Sequence, residues 1–318
     1  MRPSRYQLVS AQSPRFYHCI SRCVRQAFLC GVNPLTGQSL SHRRRWIEER
    51  LLELAEIFAV GVYAYAVMSN HVHLVLYLDP TVAMAWSAGD VAERWVRLCP
   101  ARRNGLVDID ACRNKRHLIA TDAGQVEIYR KRLMDLAWFM RCLNEPVARR
   151  ANAEDECTGR FWEGRYKCQA LLDDAAVLAC MTYVDLNPIR AGIAKDLAAS
   201  EYTSARRRIR SEKDADSPLL PLGGLACGGL PVSRREYIDL VDWTGRQRRV
   251  DKRGHISATA PPALLRLNVT DRYWLRQAGG METLYWRAVG AAQALADMAR
   301  LIGQCWLKGG GRDQVPQA

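Results

Sequence analysis

The chain has 318 residues, 48% hydrophobic and 25% charged, so one elaborated domain or two smaller ones can each bury a real core. Its 46 basic against 33 acidic residues leave a net charge of +13, and a basic surface of that size attracts polyanions, nucleic acid above all. No apolar run reaches membrane-spanning length and Met1 to Tyr6 lack a signal-peptide core, which sets aside membrane and secreted classes and predicts a cytoplasmic protein. The 11 cysteines are scattered, without a Cys-x-x-Cys pair or zinc-finger spacing, and read as buried thiols in a reducing compartment. Cys19 and Cys23 are the closest of them in sequence.

Arg15 to Val24 read as a first strand, with His18 as a hydrogen-bonded strand histidine rather than a metal ligand. After a loop containing Gly31, Pro34 and Gly37, Ser41 can cap a helix to about Phe58 with Trp46, Ile47, Leu51, Leu52, Leu54 and Ile57 on its apolar face. Its Arg43-Arg44-Arg45 run fits a solvated face. Gly61 to Met68 and Asn70 to Leu78 then form a hairpin, with Ser69-Asn70 at the turn. Side chains at i and i+2 leave one face of a strand, so His71 and His73 stand side by side. Two imidazoles at that spacing suit one divalent metal, although histidines hydrogen-bonded in a half-buried strand would look the same in sequence.

From Asp79 to Gly124 the pattern weakens into pieces of helix (Val91 to Leu98) and loop, with Arg102-Arg103 and Arg113 to Arg116, and reads as an insertion. A helix is predicted from about Val126 to Arg150, kinked or divided by Pro146. Thr158 to Ala170 reads as a turn entering a strand, where aromatics interleave with Arg160, Arg165 and Lys167. Trp162 among those cations suits base stacking with phosphate contact, and equally an aromatic packed beneath a glycine turn. Asp173 or Asp174 can cap the next helix, through Val177, Leu178, Cys180 and Met181 to Leu186. Tyr183 and Asn187 lie one turn apart on one side of it. They offer a phenol able to attack and an amide oxygen able to complete a metal site. Pro188 disfavours helical geometry at Asn187, and Asp185, the rival oxygen, points away from Tyr183.

Beyond Tyr202 come the basic run Arg206-Arg207-Arg208-Ile209-Arg210 and a linker-like stretch with Pro218, Pro221 and four glycines between 223 and 229. Trp243 to Gly254 follows, dense in guanidinium groups that include Arg248 and Arg249. Arg206, Arg207, Arg248 and Arg249 join Arg160, Trp162, Arg165 and Lys167 as candidate DNA contacts. A last amphipathic helix, about Glu282 to Leu307, would bring Leu284, Val289, Leu295, Met298 and Ile302 to one side, closing the core or a dimer contact.

Three stretches taken together resemble the HUH single-tyrosine transposases, in particular the REP-associated tyrosine transposase group. They are Tyr65 to His73 (Tyr-Ala-Val-Met-Ser-Asn-His-Val-His), Gly159 to Lys167 (Gly-Arg-Phe-Trp-Glu-Gly-Arg-Tyr-Lys) and Tyr183 to Gly192 (Tyr-Val-Asp-Leu-Asn-Pro-Ile-Arg-Ala-Gly). The resemblance spans roughly Phe16 to Tyr202, with 79–124 as extra length, and departs at Ser69, where the family usually has proline. It implies an α+β fold with a ferredoxin-like βαββαβα domain and a central antiparallel sheet over 1–202, followed by a basic, mainly helical and loop C-terminal extension over 203–318. It further implies His71, His73 and Asn187 as ligands of Mg²⁺ or Mn²⁺ and Tyr183 as nucleophile. The reaction so implied is cleavage and rejoining of single-stranded DNA beside hairpins through a 5′-phosphotyrosine, by a monomer or a homodimer with no membrane partner. A free phenol, with a pKa near 10, needs help to act as a nucleophile, and a cation held by neutral ligands keeps its full charge for the phosphate. The alternatives are a domesticated protein that binds DNA hairpins without cutting them and an unrelated metal-dependent hydrolase that would not need Tyr183.

Overall fold

The computed structural model describes residues 9, 15–24, 29–32, 37–211, 219, 222, 229–247 and 260–309. Arg248 and Arg249, and most of the linker-like stretch, lie outside the described residues. The chain opens with β1 (Arg15–Arg22), α1 (His42–Ile57), β2 (Val60–Val67) and β3 (His71–Leu78). A helical stretch follows: α2 (Pro80–Met84), α3 (Ala88–Leu98), the small hairpin β4 (Arg102–Arg103) and β5 (Leu106–Val107), α4 (Ile109–Thr121), α5 (Ala123–Leu133) and α6 (Leu136–Glu154). Then come β6 (Lys167–Leu171), α7 (Asp174–Arg190), α8 (Ser204–Arg210), α9 (Arg234–Gln247), α10 (Pro262–Arg266), α11 (Asp271–Gly279), β7 (Ala288–Val289) and α12 (Ala292–Leu301).

The five-stranded sheet runs β2-β3-β1-β6-β7, antiparallel across the first four strands, with β7 joining β6 in parallel. Arg22 pairs with His71, Ile20 with His73 and His18 with Val75, while on the other side His18 pairs with Gln169 and Ile20 with Lys167. Directly opposed residues share a face, so this register alone gathers His18, His71, His73, Gln169, Arg22 and Lys167 on one side of the sheet. Tyr65, on the reverse face, hydrogen-bonds Glu48 of α1, and Asn144 of α6 donates to Ser21 at 2.9 Å, so α1 and α6 cover that side.

The histidine face belongs to α7. Ala64 and Ala66 of β2 stand beside Val75 and His73 there, and their small side chains let the helix come close. Behind α7 pack α9 and α11, so nearly every residue from Ala176 to Leu186 is buried. A helix enclosed on both sides is apolar over most of its surface, as Ala176 to Met181 are, and its buried carboxylate, Asp185, is hydrogen-bonded. Asp173 caps it by accepting from the Ala176 N–H at 2.8 Å. Along the free edge of β2, Val67 N–H donates to the Tyr202 carbonyl and Arg208 to the Tyr63 carbonyl, so the chain around α8 occupies backbone groups that an edge strand leaves open.

Several expectations change. The helix predicted over 126–150 is two helices, divided at Met134-Asp135 because Asp135 caps α6 through the Trp138 N–H, at 2.7 Å. Pro146 lies inside α6; its missing N–H leaves the Cys142 carbonyl to accept from Arg50 Nε at 3.2 Å. Pro188 is likewise carried inside α7, which runs on to Arg190. Arg43 is wholly buried rather than solvated, held by Glu154 at 2.6 Å and by Asp155. The cysteines divide: Cys19, Cys23, Cys30 and Cys180 are buried, whereas Cys99 and Cys305 are exposed.

The helix predicted over 282–307 is a turn, strand β7 and the shorter α12. Ala288 and Val289 lie in register with Ala170 and Leu171 of β6, where the Ala170 and Leu172 N–H groups donate to the Arg287 and Val289 carbonyls, a long-range pairing that outweighs local helical periodicity. Gly290 then passes where a Cβ would stand 2.9 Å from Leu172, too close for any other residue without displacement. Among the described residues no helix is long and apolar enough to cross a membrane.

Candidate active site

The site begins with Gln169. Its amide nitrogen lies 3.3 Å from the Met281 carbonyl and 3.4 Å from the Tyr285 carbonyl, which orients its oxygen towards His18 Nδ1 at 2.8 Å. An amide oxygen only accepts, so His18 carries its proton on Nδ1 and turns a bare Nε2 to His73 Nδ1, 3.0 Å away. His73 therefore donates from Nδ1 and is left with a lone pair on Nε2. That nitrogen is buried and has no hydrogen-bond partner.

Burial is the largest influence on all three histidines and favours the neutral ring. It lowers the pKa of His18 against the opposing pull of Gln169 and Glu282. His73 is driven well below the usual value, with His18 and His71 adding to the effect. His71 falls to about 4, helped by the positive charge of Arg22. Three neutral imidazoles thus stand together, and His71 turns its Nδ1 to Asn70, its own neighbour in the turn.

Over this group lies Tyr183 of α7, its ring centroid 5.6 Å from that of His73 and 6.2 Å from that of His18. Its hydroxyl donates to Glu282 Oε1 at 2.7 Å, and the same oxygen stands 3.7 Å from His73 Nε2. Burial, and then the Glu282 carboxylate, push the Tyr183 pKa above the ordinary phenol value. The Arg190 guanidinium, two turns further along the helix, sits 5.1 Å from the ring centroid. Asn187 has its amide nitrogen buried without a partner. Asp185 faces elsewhere, accepting from Ser204 Oγ, the Ala205 N–H and the Tyr237 hydroxyl.

Among the described residues no three His, Cys, Asp or Glu side chains are grouped as a metal site. The fit to a cation instead rests on the orphaned, buried Nε2 of His73 beside His71, a nitrogen pair that needs an oxygen donor of another kind. The amide oxygen of Asn187 is of that kind.

The basic residues predicted to touch DNA separate into two places. Glu163 N–H donates to the Arg22 carbonyl and Val24 N–H to the Phe161 carbonyl, so the segment carrying Arg160, Trp162 and Arg165 lies against the end of β1 nearest His71. Arg160, Arg165 and Lys167 are exposed there, while half-buried Trp162 donates its indole N–H to the Asn144 carbonyl at 2.9 Å. Arg206 and Arg207 lie instead along the β2 edge, paired with Glu201 at 2.6 Å and with Glu48 and Tyr65. Sequence reading missed Gln169 and Glu282. Neither sits in a spacing pattern with the histidines, and each reaches the site only through strand register or the return of the C-terminal chain.

Neither a protein-family model nor a curated protein matches the sequence. A solved structure similar to the chain is that of a REP-associated tyrosine transposase bound to a REP hairpin, with 10% identity and a TM-score of 0.34, over 66% of this chain and 86% of that one. So loose a superposition assigns neither family nor activity.

Proposed function

We propose that the protein is a transposase-like enzyme that cuts and rejoins single-stranded DNA beside hairpins. In this reading the Tyr183 oxygen attacks a backbone phosphorus, forming a 5′-phosphotyrosine and releasing a 3′-hydroxyl, and the stored ester is later attacked by a 3′-hydroxyl to rejoin the strand. The observation that carries it is the Tyr183 phenol set against the His71–His73 pair, with a bare, buried Nε2 on His73. His71, His73 and Asn187 would hold Mg²⁺ or Mn²⁺. Bound there, the cation would polarise the scissile phosphate and offset the charge that builds on it.

The chain's own residues supply the rest. Gln169 and His18 hold His73 in one tautomer, α7 fixes the phenol over the imidazoles, and Arg22, Lys167, Arg160 and Arg165 put positive charge at the same end of the sheet. The strand order β2-β3-β1-β6, with α1 and α7 on opposite faces, supports a ferredoxin-like βαββαβα unit within 1–202, interrupted by 79–124 and continued by the basic region after 202. Incubation with end-labelled, hairpin-bearing single-stranded DNA and Mn²⁺ tests the reading. A denaturation-resistant adduct that vanishes in Tyr183→Phe and His71→Ala is expected; tight hairpin binding with no adduct would leave a protein that binds hairpins without cutting them.

A further inference from the structure

We propose that Glu282 is the general base for Tyr183, a catalytic residue delivered from the C-terminal region. The assignment rests on the transesterase reading above and deepens it. The phenol must lose a proton as its oxygen bonds to phosphorus, and Glu282 Oε1 already accepts that proton's hydrogen bond at 2.7 Å. The other groups around the phenol are unsuited to receive it. Arg190 is a cation, Asn187 offers only an amide, and the remaining lone pair of His73 would be taken up by the metal ion while its Nδ1–H is engaged with His18.

The carboxylate is held for the task. It stands in a turn closed by the Thr283 and Leu284 N–H groups on the Gly280 carbonyl, at 3.0 and 2.8 Å. Gln169 grips the carbonyls on either side of it, at Met281 and Tyr285, and Lys308 donates to the Thr283 carbonyl at 2.7 Å. The side chain remains 25% exposed, so a proton it takes can pass to water. In the forward step the Tyr183 O–P bond forms and the P–O3′ bond breaks. Glu282 takes the phenolic proton, and the 3′ oxygen leaves with the bonding pair and is protonated by water, to which Glu282 returns its proton. In rejoining, the 3′ oxygen gives up its proton to water as it attacks, Glu282 takes a proton back from water, and the departing phenolate recovers that proton from Glu282.

Single-turnover adduct formation tests this on the full chain, with hairpin affinity and Mn²⁺ affinity measured alongside. Glu282→Gln keeps shape and a hydrogen-bond acceptor but cannot take the proton; it is expected to slow adduct formation about 100-fold, with both affinities unchanged. Glu282→Ala is expected to recover rate as acetate, a small carboxylate base, is added. Full-rate adduct from Glu282→Gln, a Glu282→Ala rate indifferent to acetate, or loss of Mn²⁺ binding in Glu282→Gln as complete as in His73→Ala would each overturn the base while leaving the transesterase standing. No adduct from the wild-type chain would instead overturn the transesterase itself, and the base with it.

Discussion

The amide of Gln169 decides which nitrogen of His73 is bare, and it does so without touching that ring. Reversing or removing the amide lets the His18–His73 pair change tautomer, so that Nε2 of His73 no longer offers a lone pair by default. Gln169→Leu is therefore expected to weaken Mn²⁺ binding about tenfold, read by titration of the purified protein, while Trp fluorescence and circular dichroism keep their folded signature. Tyr183→Phe loses one hydrogen bond and should cost about 1 kcal/mol of stability in urea unfolding, yet abolish the DNA adduct. Stripping divalent metal with a chelator should remove the adduct and spare hairpin binding. The His71–His73 and Tyr183–Asn187 spacings were legible because they are local, two residues apart in a strand and four in a helix. The His18–Gln169 contact spans 151 residues and exists only through the register of β1 with β6, which no local pattern encodes.

At the scale of elements, helix starts read more clearly than helix lengths. Asp173 caps α7 as expected, whereas Ser41 marks the start of α1 but makes no capping bond with its side chain. The division at Asp135 was obscured by the apolar stripe running through it, and β7 by a stripe that fitted a helix equally well. The start of α9 supplies a test by pH. Glu236 accepts from the Ser233 backbone N–H and hydroxyl, both at 2.8 Å, and from Arg266 at 2.7 Å. Those bonds, led by the backbone one, hold its carboxyl down at about 2. A carboxylate whose pKa is lowered by folding stabilises the protein above its unfolded value and loses that contribution as pH falls. Glu236→Gln should thus unfold at lower temperature near neutrality, and its gap from wild type should close between about pH 4.3 and about pH 2.

Buried Asp185 joins three elements, accepting from Ser204 and Ala205 of α8 and Tyr237 of α9. Burial raises its pKa, and the nearby Arg208 charge, with the Ser204 and Tyr237 hydroxyls, pulls the other way. Asp185→Ala strands those donors and is expected to cost about 3 kcal/mol, read as a lower urea midpoint.

Across the whole molecule, the region after residue 202 is built into the same core. It adds β7 to the sheet, packs α9 and α11 on the outer side of α7, and brings Glu282 to the phenol. Composition could show that this region is basic but not that it returns to the sheet, because its partners lie a hundred or so residues upstream. A chain ended at Tyr202 would expose the buried outer side of α7 and make β6 an edge. It is expected to lose cooperative thermal unfolding and to give no adduct.

That return also sets an order of events during translation. Glu282 lies 99 residues beyond Tyr183, so a ribosome that has just added the tyrosine reaches the carboxylate only much later, and Met281 and Tyr285, which orient Gln169, are made with it. Through that interval the nascent chain carries both histidines and the tyrosine with the tautomer unset and the carboxylate not yet synthesised. Assembly of the site is thereby timed to the arrival of this late segment, and an interrupted synthesis product is left without the full set of groups around its phenol.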